Sequence, residues 1–288
     1  MPIIASLLAT GAISALYYAD RINQLPIGVI GIAVGTVLLP EMTHRIAAGD
    51  EAGARSAQNR AIEFALLLAI PCIVAFLVVP DVIMRGLFMR GRFTADDAHA
   101  AAATLMAYTI GLVPFVLIRS TVAPFLARGD TFTPMKAALI GTAVNVVFKI
   151  ALMGPLAQVG LALATSIGAW INFVLVLYWA SRQRHIAFDA TLKSSLLRLF
   201  AAGLVMAFAL LFASPVVAKV LSSVSKFRNE SELLVLALLG GVVYGALVLA
   251  LFGRRWLSLI RKRAQSAAAA PIDAFEGVTP PPAGPDEQ

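Results

Sequence analysis

Residues 158–180, QVGLALATSIGAWINFVLVLYWA, form a long run without a charged side chain. A helix of about 20 mostly apolar residues is long enough to cross the hydrocarbon core of a membrane. Similar runs lie on both sides of this one and fill most of the chain. Eight candidate spans follow: 2–19, 26–43, 61–80, 102–127, 134–154, 158–180, 196–217 and 233–253. The sequence therefore predicts an all-α polytopic membrane protein with about eight transmembrane helices.

The composition of the whole chain agrees with this class. Of 288 residues, 59% are hydrophobic and 14% are charged, whereas about a quarter of the residues of a soluble domain are charged. This balance excludes a disordered chain, a coiled coil and a disulfide scaffold, and Cys72 alone can form neither an internal disulfide nor a cysteine metal cluster. The net charge of +7 is explained by basic cytoplasmic loops, so no nucleic-acid partner is predicted.

The distribution of basic residues predicts the orientation. When even-numbered spans are taken to end in the cytoplasm, the inner segments hold fourteen of the 23 basic residues and the outer segments hold six. By the positive-inside rule, both termini are then cytoplasmic. The Ala- and Pro-rich stretch 264–288 predicts a disordered cytoplasmic tail. The first span begins at Met1 without a polar flank, which is typical of a chain cut inside a helix.

Motifs of bond-making chemistry are missing from the sequence. There is no Gly-rich phosphate loop and no GxSxG nucleophile motif, and His44, His99 and His185 lie far apart without metal-ligand spacing. We therefore expect no enzyme, no catalytic residue, no metal and no cofactor. Charged side chains inside apolar spans indicate binding and translocation instead.

The first candidate site is the stretch 14–26, SALYYADRINQLP, which places polar side chains between two apolar spans. Ser14, Tyr17, Tyr18 and Arg21 lie near one helix face, and Asp20 and Gln24 are beside them. Two interpretations stay open. The stretch is either an interfacial aromatic belt with a snorkelling arginine or part of a water-filled cavity. In a cavity, the planar guanidinium of Arg21 would grip a phosphate with two hydrogen bonds, and Asp20 would hold or tune it.

Two further sites carry a charge inside an apolar span. Asn145 and Lys149 are four residues apart and share a helix face, so Lys149 either snorkels to the surface or faces protein and water. Arg119 lies late in the fourth span, where an anchoring role at the cytoplasmic surface is the simplest interpretation. Small residues on the second and sixth spans indicate close helix packing.

Several short motifs follow one another in the order and spacing of a known family. They are Tyr17-Tyr18-Ala19-Asp20-Arg21, Pro26-x-Gly28-Val29, Val37-Leu38-Leu39-Pro40, Gly91-Arg92-Phe93-Thr94 with Asp97, Gly129-Asp130-Thr131 with Thr133-Pro134, and Gly154-Pro155 with Gly160-Leu161-Ala162. Together they make the chain resemble the C-terminal lobe of the MurJ (MviN) family of lipid II flippases. This family belongs to the superfamily of multidrug, oligosaccharidyl-lipid and polysaccharide exporters.

The resemblance implies an architecture and roles for single residues. It implies a six-helix lobe at 1–185 with a truncated first helix, then two helices at 186–263 that form a groove for the lipid tail. Arg21 would line the cationic cavity that receives the diphosphate of lipid II, with Asp20, Ser14 and Gln24 beside it. Some members have a sodium site in this lobe, which Asn145 and Thr165 match. Lys149 stands where the family has an acid, so sodium coupling is not expected.

The resemblance also implies that an N-terminal lobe is missing, although transport by two rocking halves needs both. The chain is therefore either a fragment or the partner of a separately encoded first half. Its expected partners are lipid II and membrane lipids, in the bacterial inner membrane. Two alternatives stay open: a polysaccharide or drug exporter of the same superfamily, and a non-transporting membrane remnant.

Overall fold

The computed structural model describes residues 11–223 and 227–268, with side chains given as far as residue 253. Every regular element in these ranges is helical. We number the α-helices α1 to α8 in chain order, and a short 3-10 turn, Leu221–Ser223, follows α7. The helices are α1 Ala12–Ala47, α2 Glu51–Val78, α3 Pro80–Phe88, α4 Ala95–Thr109, α5 Leu112–Leu126, α6 Phe132–Arg182, α7 Ala190–Val220 and α8 Arg228–Ala268.

Polar side chains at the connections fix where several helices begin. The carboxylate of Asp50 accepts the Gly53 N–H at the start of α2, and Asp189 accepts the Leu192 N–H at the start of α7. Thr94 and Asp97 form a reciprocal capping box at the start of α4. Such caps satisfy backbone donors that the first turn of a helix leaves unpaired.

The connection before α6 is a tight turn. Gly129 adopts a left-handed conformation with φ of 79°, and Oδ1 of Asp130 accepts the N–H groups of Phe132 and Thr133 at 3.0 Å each. Hydrogen bonds from Thr133, followed by the one from Phe132, hold the pKa of the Asp130 carboxyl below its usual range. The turn thus starts α6 within two residues of Asp130.

Six helical segments are long and apolar enough to cross a membrane, which confirms the polytopic all-α class. One of them, α6, has 51 residues and contains Ala157 in a non-helical conformation with φ of 45°. Ala157 divides α6 into a first arm, 132–156, and a second arm, 158–182. The break agrees with the predicted boundary between the spans 134–154 and 158–180.

The two arms of α6 pack closely against each other through glycines. A Cβ atom at Gly168 would lie 2.6 Å from Cβ of Asn145, and one at Gly141 would lie 2.8 Å from Cβ of Asn172. Each glycine also faces the backbone carbonyl of the other. The chain therefore reverses between the arms, and the predicted small face on the sixth span is a packing face.

The beginning of the chain differs from the prediction. The predicted spans 2–19 and 26–43 were expected to be two helices, but residues 12–47 form the single helix α1, which continues through Pro26. The physical reason is that a helix satisfies its own backbone hydrogen bonds, so polar side chains on an exposed face need not interrupt it. The number of eight helices is not confirmed, and residues 1–10 lie outside the described part.

The first compact unit of the chain extends to Gly245, and a second begins at Ala246. Within the first unit, α7 packs on α2: Ser195 donates to Glu63 at 2.7 Å, and Asn59 donates to the Ala187 carbonyl at 3.0 Å. The Tyr244 hydroxyl of α8 donates to the Leu67 carbonyl. Residues 264–268 of the predicted tail are helical, and 269–288 lie outside the described residues.

The helices of the first unit define two ends of a bundle. Arg128, next to α5, pairs with Glu51 of α2, and Arg60 pairs with Asp189 at 3.1 Å. These pairs bring the α1–α2, α5–α6 and α6–α7 connections together at one end, which we call the basic end. At the opposite end, the Tyr18 ring of α1 packs on Phe93. Since α1 runs once along the length of the bundle, Gly11 and Ala47 lie at different ends of it.

Candidate substrate-binding site

Arg21 projects from the exposed face of α1. Its guanidinium lies 4.8 Å from the centroid of the Tyr17 ring, and Ser14 and Gln24 are exposed on the same helix. The neighbouring Tyr18, which was predicted on the same face, is half-buried: its ring lies edge-on to Tyr17 and packs on Phe88, with the Tyr18 and Phe88 ring centroids 4.6 Å apart. This packing fixes the rotation of α1 and so keeps Arg21 on the open side.

Asp20 is half-buried beside Arg21, but it is held by other groups. Its carboxylate accepts a hydrogen bond from Nε2 of Gln24, one turn further along α1. It also interacts electrostatically with Arg21 and with Lys149 of α6. No ion pair joins Arg21 to a described carboxylate. The guanidinium therefore keeps its hydrogen-bond donors available for an anion.

Lys149 is the buried cation of this region, because its side chain is only 4% exposed. The side chain does not snorkel to the surface of the described chain. Lys149 and Asp20 interact electrostatically, and Tyr108 of α4, which is 9% exposed, also interacts with Asp20. The structure thus joins two sites that no sequence pattern connects, across three helices.

The other two residues of the implied ion site have different surroundings. Asn145 lies against Gly168 in the crossing of the α6 arms, and its buried Oδ1 accepts no hydrogen bond from the described residues. The Thr165 hydroxyl donates to the Leu161 carbonyl of its own helix at 3.0 Å. Among the described residues, no group of three or more His, Cys, Asp or Glu side chains could hold a metal ion.

Sequence reasoning missed Tyr108, Asn172 and the environment of Arg119. Asn172 is the counterpart of Asn145, and the repeated pattern Gly-x-x-x-Asn at 141–145 and 168–172 was the available signal. Arg119 was interpreted as a surface anchor, but its guanidinium lies against Gly31 of α1. The signal there was a glycine-rich face on α1 combined with a lone arginine in an apolar span.

The fold defines an all-helical, multi-pass membrane protein with a cationic face on α1. The family model described as "Lipid II flippase MurJ" matches residues 2–232. The chain belongs to this MurJ family.

Curated relatives agree with the family model. The chain is 39% identical over 261 residues to a probable lipid II flippase MurJ of Rhizobium meliloti, covering 90% of this chain and 49% of the relative. It is 32% identical over 266 residues to the probable lipid II flippase MurJ of Haemophilus influenzae, covering 90% and 52%. The chain thus spans about half the length of these relatives.

Solved structures show the same relationship. A lipid II flippase MurJ in an inward closed conformation superposes with a TM-score of 0.71 at 26% identity, over 87% of this chain and 49% of that one. An outward-facing multidrug resistance transporter of the MATE family superposes with a TM-score of 0.56 at 15% identity, over 88% and 59%. The second likeness concerns the fold alone.

Proposed function

We propose that this chain acts as the C-terminal half of a lipid II flippase, and that Arg21 binds the diphosphate of the lipid-linked peptidoglycan precursor. The observation that supports this most directly is the exposed Arg21 guanidinium, which has an aromatic neighbour but forms no ion pair with a carboxylate of the described residues. A guanidinium offers paired donors that match phosphate oxygens. Ser14 and Gln24 add polar groups on the same exposed helix.

The proposed transport makes and breaks no covalent bond. Only the polar headgroup of the lipid must cross the apolar layer, and a hydrated cationic cavity lowers the penalty for that step. On this proposal residues 1–185 form one lobe of the cavity, and helices within 186–263 provide a groove for the polyprenyl chain. Rocking against a second lobe would expose the headgroup on alternate sides. An N-terminal lobe encoded elsewhere, or in a longer chain, is the partner that this mechanism requires.

We propose further that this lobe needs no sodium ion. Lys149 interacts electrostatically with Asp20, and it stands where the resemblance places an acid of a sodium site. An ammonium group in that position supplies the charge that a bound cation would otherwise supply.

The test is a flipping assay in proteoliposomes that contain this chain together with the N-terminal half of the Rhizobium meliloti relative. Lipid II with a fluorescent headgroup is bleached by a reagent that cannot cross the membrane. We expect flipping in sodium and in potassium buffer, its loss in Arg21→Ala, and partial retention in Arg21→Lys. Arg182→Ala is a matched control because Arg182 also lies over a tyrosine ring four residues earlier, Tyr178.

The same assay separates the alternatives. Full activity of Arg21→Ala would contradict the role of Arg21, and activity in sodium buffer only would contradict the role of Lys149. Transport of a lipid-linked oligosaccharide in place of lipid II would favour the polysaccharide exporter. A wild-type pair that flips no substrate, although both halves are folded and associated, would favour the non-transporting remnant.

A further inference from the structure

A second cationic site lies on α1, further along the helix from Arg21. A cavity of about 400 Å³ opens between α1 and α5. Its wall is apolar apart from Thr36 and the guanidinium of Arg119; Gly31, Gly35, Ile118 and Val122 are among the other lining residues. A cavity with one strong donor group in an apolar wall suits a ligand with a compact anionic part.

The two glycines make room for this arginine. A Cβ atom at Gly31 would lie 2.7 Å from Nε of Arg119, and one at Gly35 would lie 3.6 Å from Nη1. A larger residue at position 31 would thus displace the guanidinium. Gly31 and Gly35, which we call the glycine cradle, hold Arg119 against α1 instead of letting its side chain extend along α5.

Arg119 also has no partner of opposite charge among the described residues. No hydrogen bond or ion pair links its guanidinium to another residue in the part of the chain that the structure describes. Nine residues later, Arg128 pairs with Glu51 at the basic end. Arg119 therefore lies about 13 Å further from the basic end than Arg128, measured along the helix axis. A charge at such a depth is expensive unless water or a counter-charge reaches it.

An open stripe of the α1 surface connects Arg21 with the site of Arg119. Arg21, Gly28 and Gly35 are spaced seven residues apart, which places them along one stripe of α1. A Cβ atom at Gly28 would meet no other atom within 4 Å, so the stripe is open between the two sites. Positions 31 and 35 lie about 15–21 Å from Arg21 along the helix axis.

We propose that Arg119 and its glycine cradle form a second binding station for the diphosphate of the same lipid-linked substrate, on the way to Arg21. This inference rests on the proposed function, since both stations serve one headgroup. The apolar layer is about 30 Å thick. A headgroup with a single binding site would cross the rest of this layer without contacting another cationic side chain. Two guanidinium groups that form no ion pair with a described residue lie along one open stripe and divide that path.

The experiment measures how many undecaprenyl diphosphate molecules bind to the whole chain in lipid nanodiscs, by native mass spectrometry. Without a second lobe both stations are open, so we expect two bound lipids on the wild-type chain. Arg119→Ala and Arg21→Ala should each bind one, and the double variant none. Arg119→Lys should still bind two, the second one more weakly. Arg182→Ala, the matched control, should bind two.

The outcomes distinguish this inference from the proposed function. Two lipids on Arg119→Ala, or an equal loss in Arg182→Ala, would overturn the second station. Two lipids on Arg21→Ala with one on Arg119→Ala would leave the station intact and overturn the role of Arg21. Equal displacement of the second lipid by phosphatidylglycerol would overturn its assignment to the substrate, because the station would then bind any anionic lipid.

A second variant tests the path without touching either arginine. Gly28→Leu places a side chain in open space, so we expect normal folding and two bound lipids. In the flipping assay with the N-terminal half, the same variant should slow flipping at least tenfold, because the side chain obstructs the stripe. Unchanged flipping by a folded Gly28→Leu protein would show that the headgroup does not travel along this stripe.

Discussion

Arg21, Lys149 and Arg119 show how the surroundings decide what a charged residue in an apolar span can do. Lys149 is buried beside Asp20 and serves as an internal counter-charge. Arg21 and Arg119 are exposed and have no carboxylate partner among the described residues, so their charge is available to a ligand. The sequence identified all three as unusual, but only distances and burial separate their roles.

A histidine at the basic end should make stability depend on pH. The His185 ring packs edge-on against Phe125, with centroids 5.3 Å apart. Burial and then the positive charge of Arg128 lower the pKa of the imidazole; Glu51 and Asp130 oppose this, and Arg55 adds to it. The buried Nδ1 has no hydrogen-bond partner among the described residues.

The sign of the effect follows from proton linkage. Since the folded-state pKa is lower than the unfolded value of about 6.5, the unfolded chain binds the proton more readily. Stability is therefore fully present above pH 6.5 and falls as the pH drops toward the folded pKa. We expect a lower thermal midpoint at pH 5.5 than at pH 7.5 in detergent. His185→Phe should reduce this difference, and an unchanged difference would assign the pH effect to other groups.

At the scale of the helix, hydropathy predicted the arms of α6 well and α1 poorly. Gly154 and Pro155 interrupt an apolar run near the break at Ala157, so composition and backbone change together there. In α1, the polar stretch 20–24 suggested a connection, although its residues lie on a continuous helix. A hydropathy window averages over all faces of a helix and cannot detect that one face lines an open surface.

The crossing of the α6 arms allows a direct test of packing. Gly168→Ala would bring two Cβ atoms to 2.6 Å, so the arms must separate, and overpacking of this kind typically costs about 1–3 kcal/mol. We expect a lower midpoint in denaturant unfolding. Gly241→Ala is the matched control, because a Cβ atom there would meet nothing within 4 Å and alanine favours a helix by about 1 kcal/mol. Equal effects of both variants would contradict the close crossing.

For the whole molecule, the family and the polytopic class could be predicted from sequence, because both depend on composition and ordered local motifs. The interaction of Lys149 with Asp20 and the contact of Arg119 with Gly31 could not be predicted. Each joins residues about 90–130 positions apart in the chain, and nothing in a local pattern measures such proximity. The orientation of the bundle falls between these cases, since charge counts predict it but depend on a correct number of crossings.

We expect the basic end to face the cytoplasm, with α1 crossing the membrane once. Nine basic residues lie at or near this end: Arg45, Arg55, Arg60, Arg128, Lys136, Arg182, Arg184, Lys193 and Arg198. At the opposite end of the described chain there are five: Arg85, Arg90, Arg92, Lys219 and Arg228. This excess satisfies the positive-inside rule. Because α1 is one helix, residue 11 would then lie on the outer side, and the cytoplasmic position of both termini stays a prediction.

Two exposed alanines at opposite ends test this orientation. Two variants are made in a Cys72→Ser background, Ala48→Cys at the basic end and Ala95→Cys at the opposite end. Intact spheroplasts that contain each variant are treated with a thiol reagent that cannot cross membranes. Both positions are exposed, so accessibility differs only by the side of the membrane. Ala95→Cys should be labelled at once and Ala48→Cys only after permeabilisation. The reverse pattern would place the basic end outside and, with it, Arg119 on the outer side of Arg21, which would invert the direction of the proposed path.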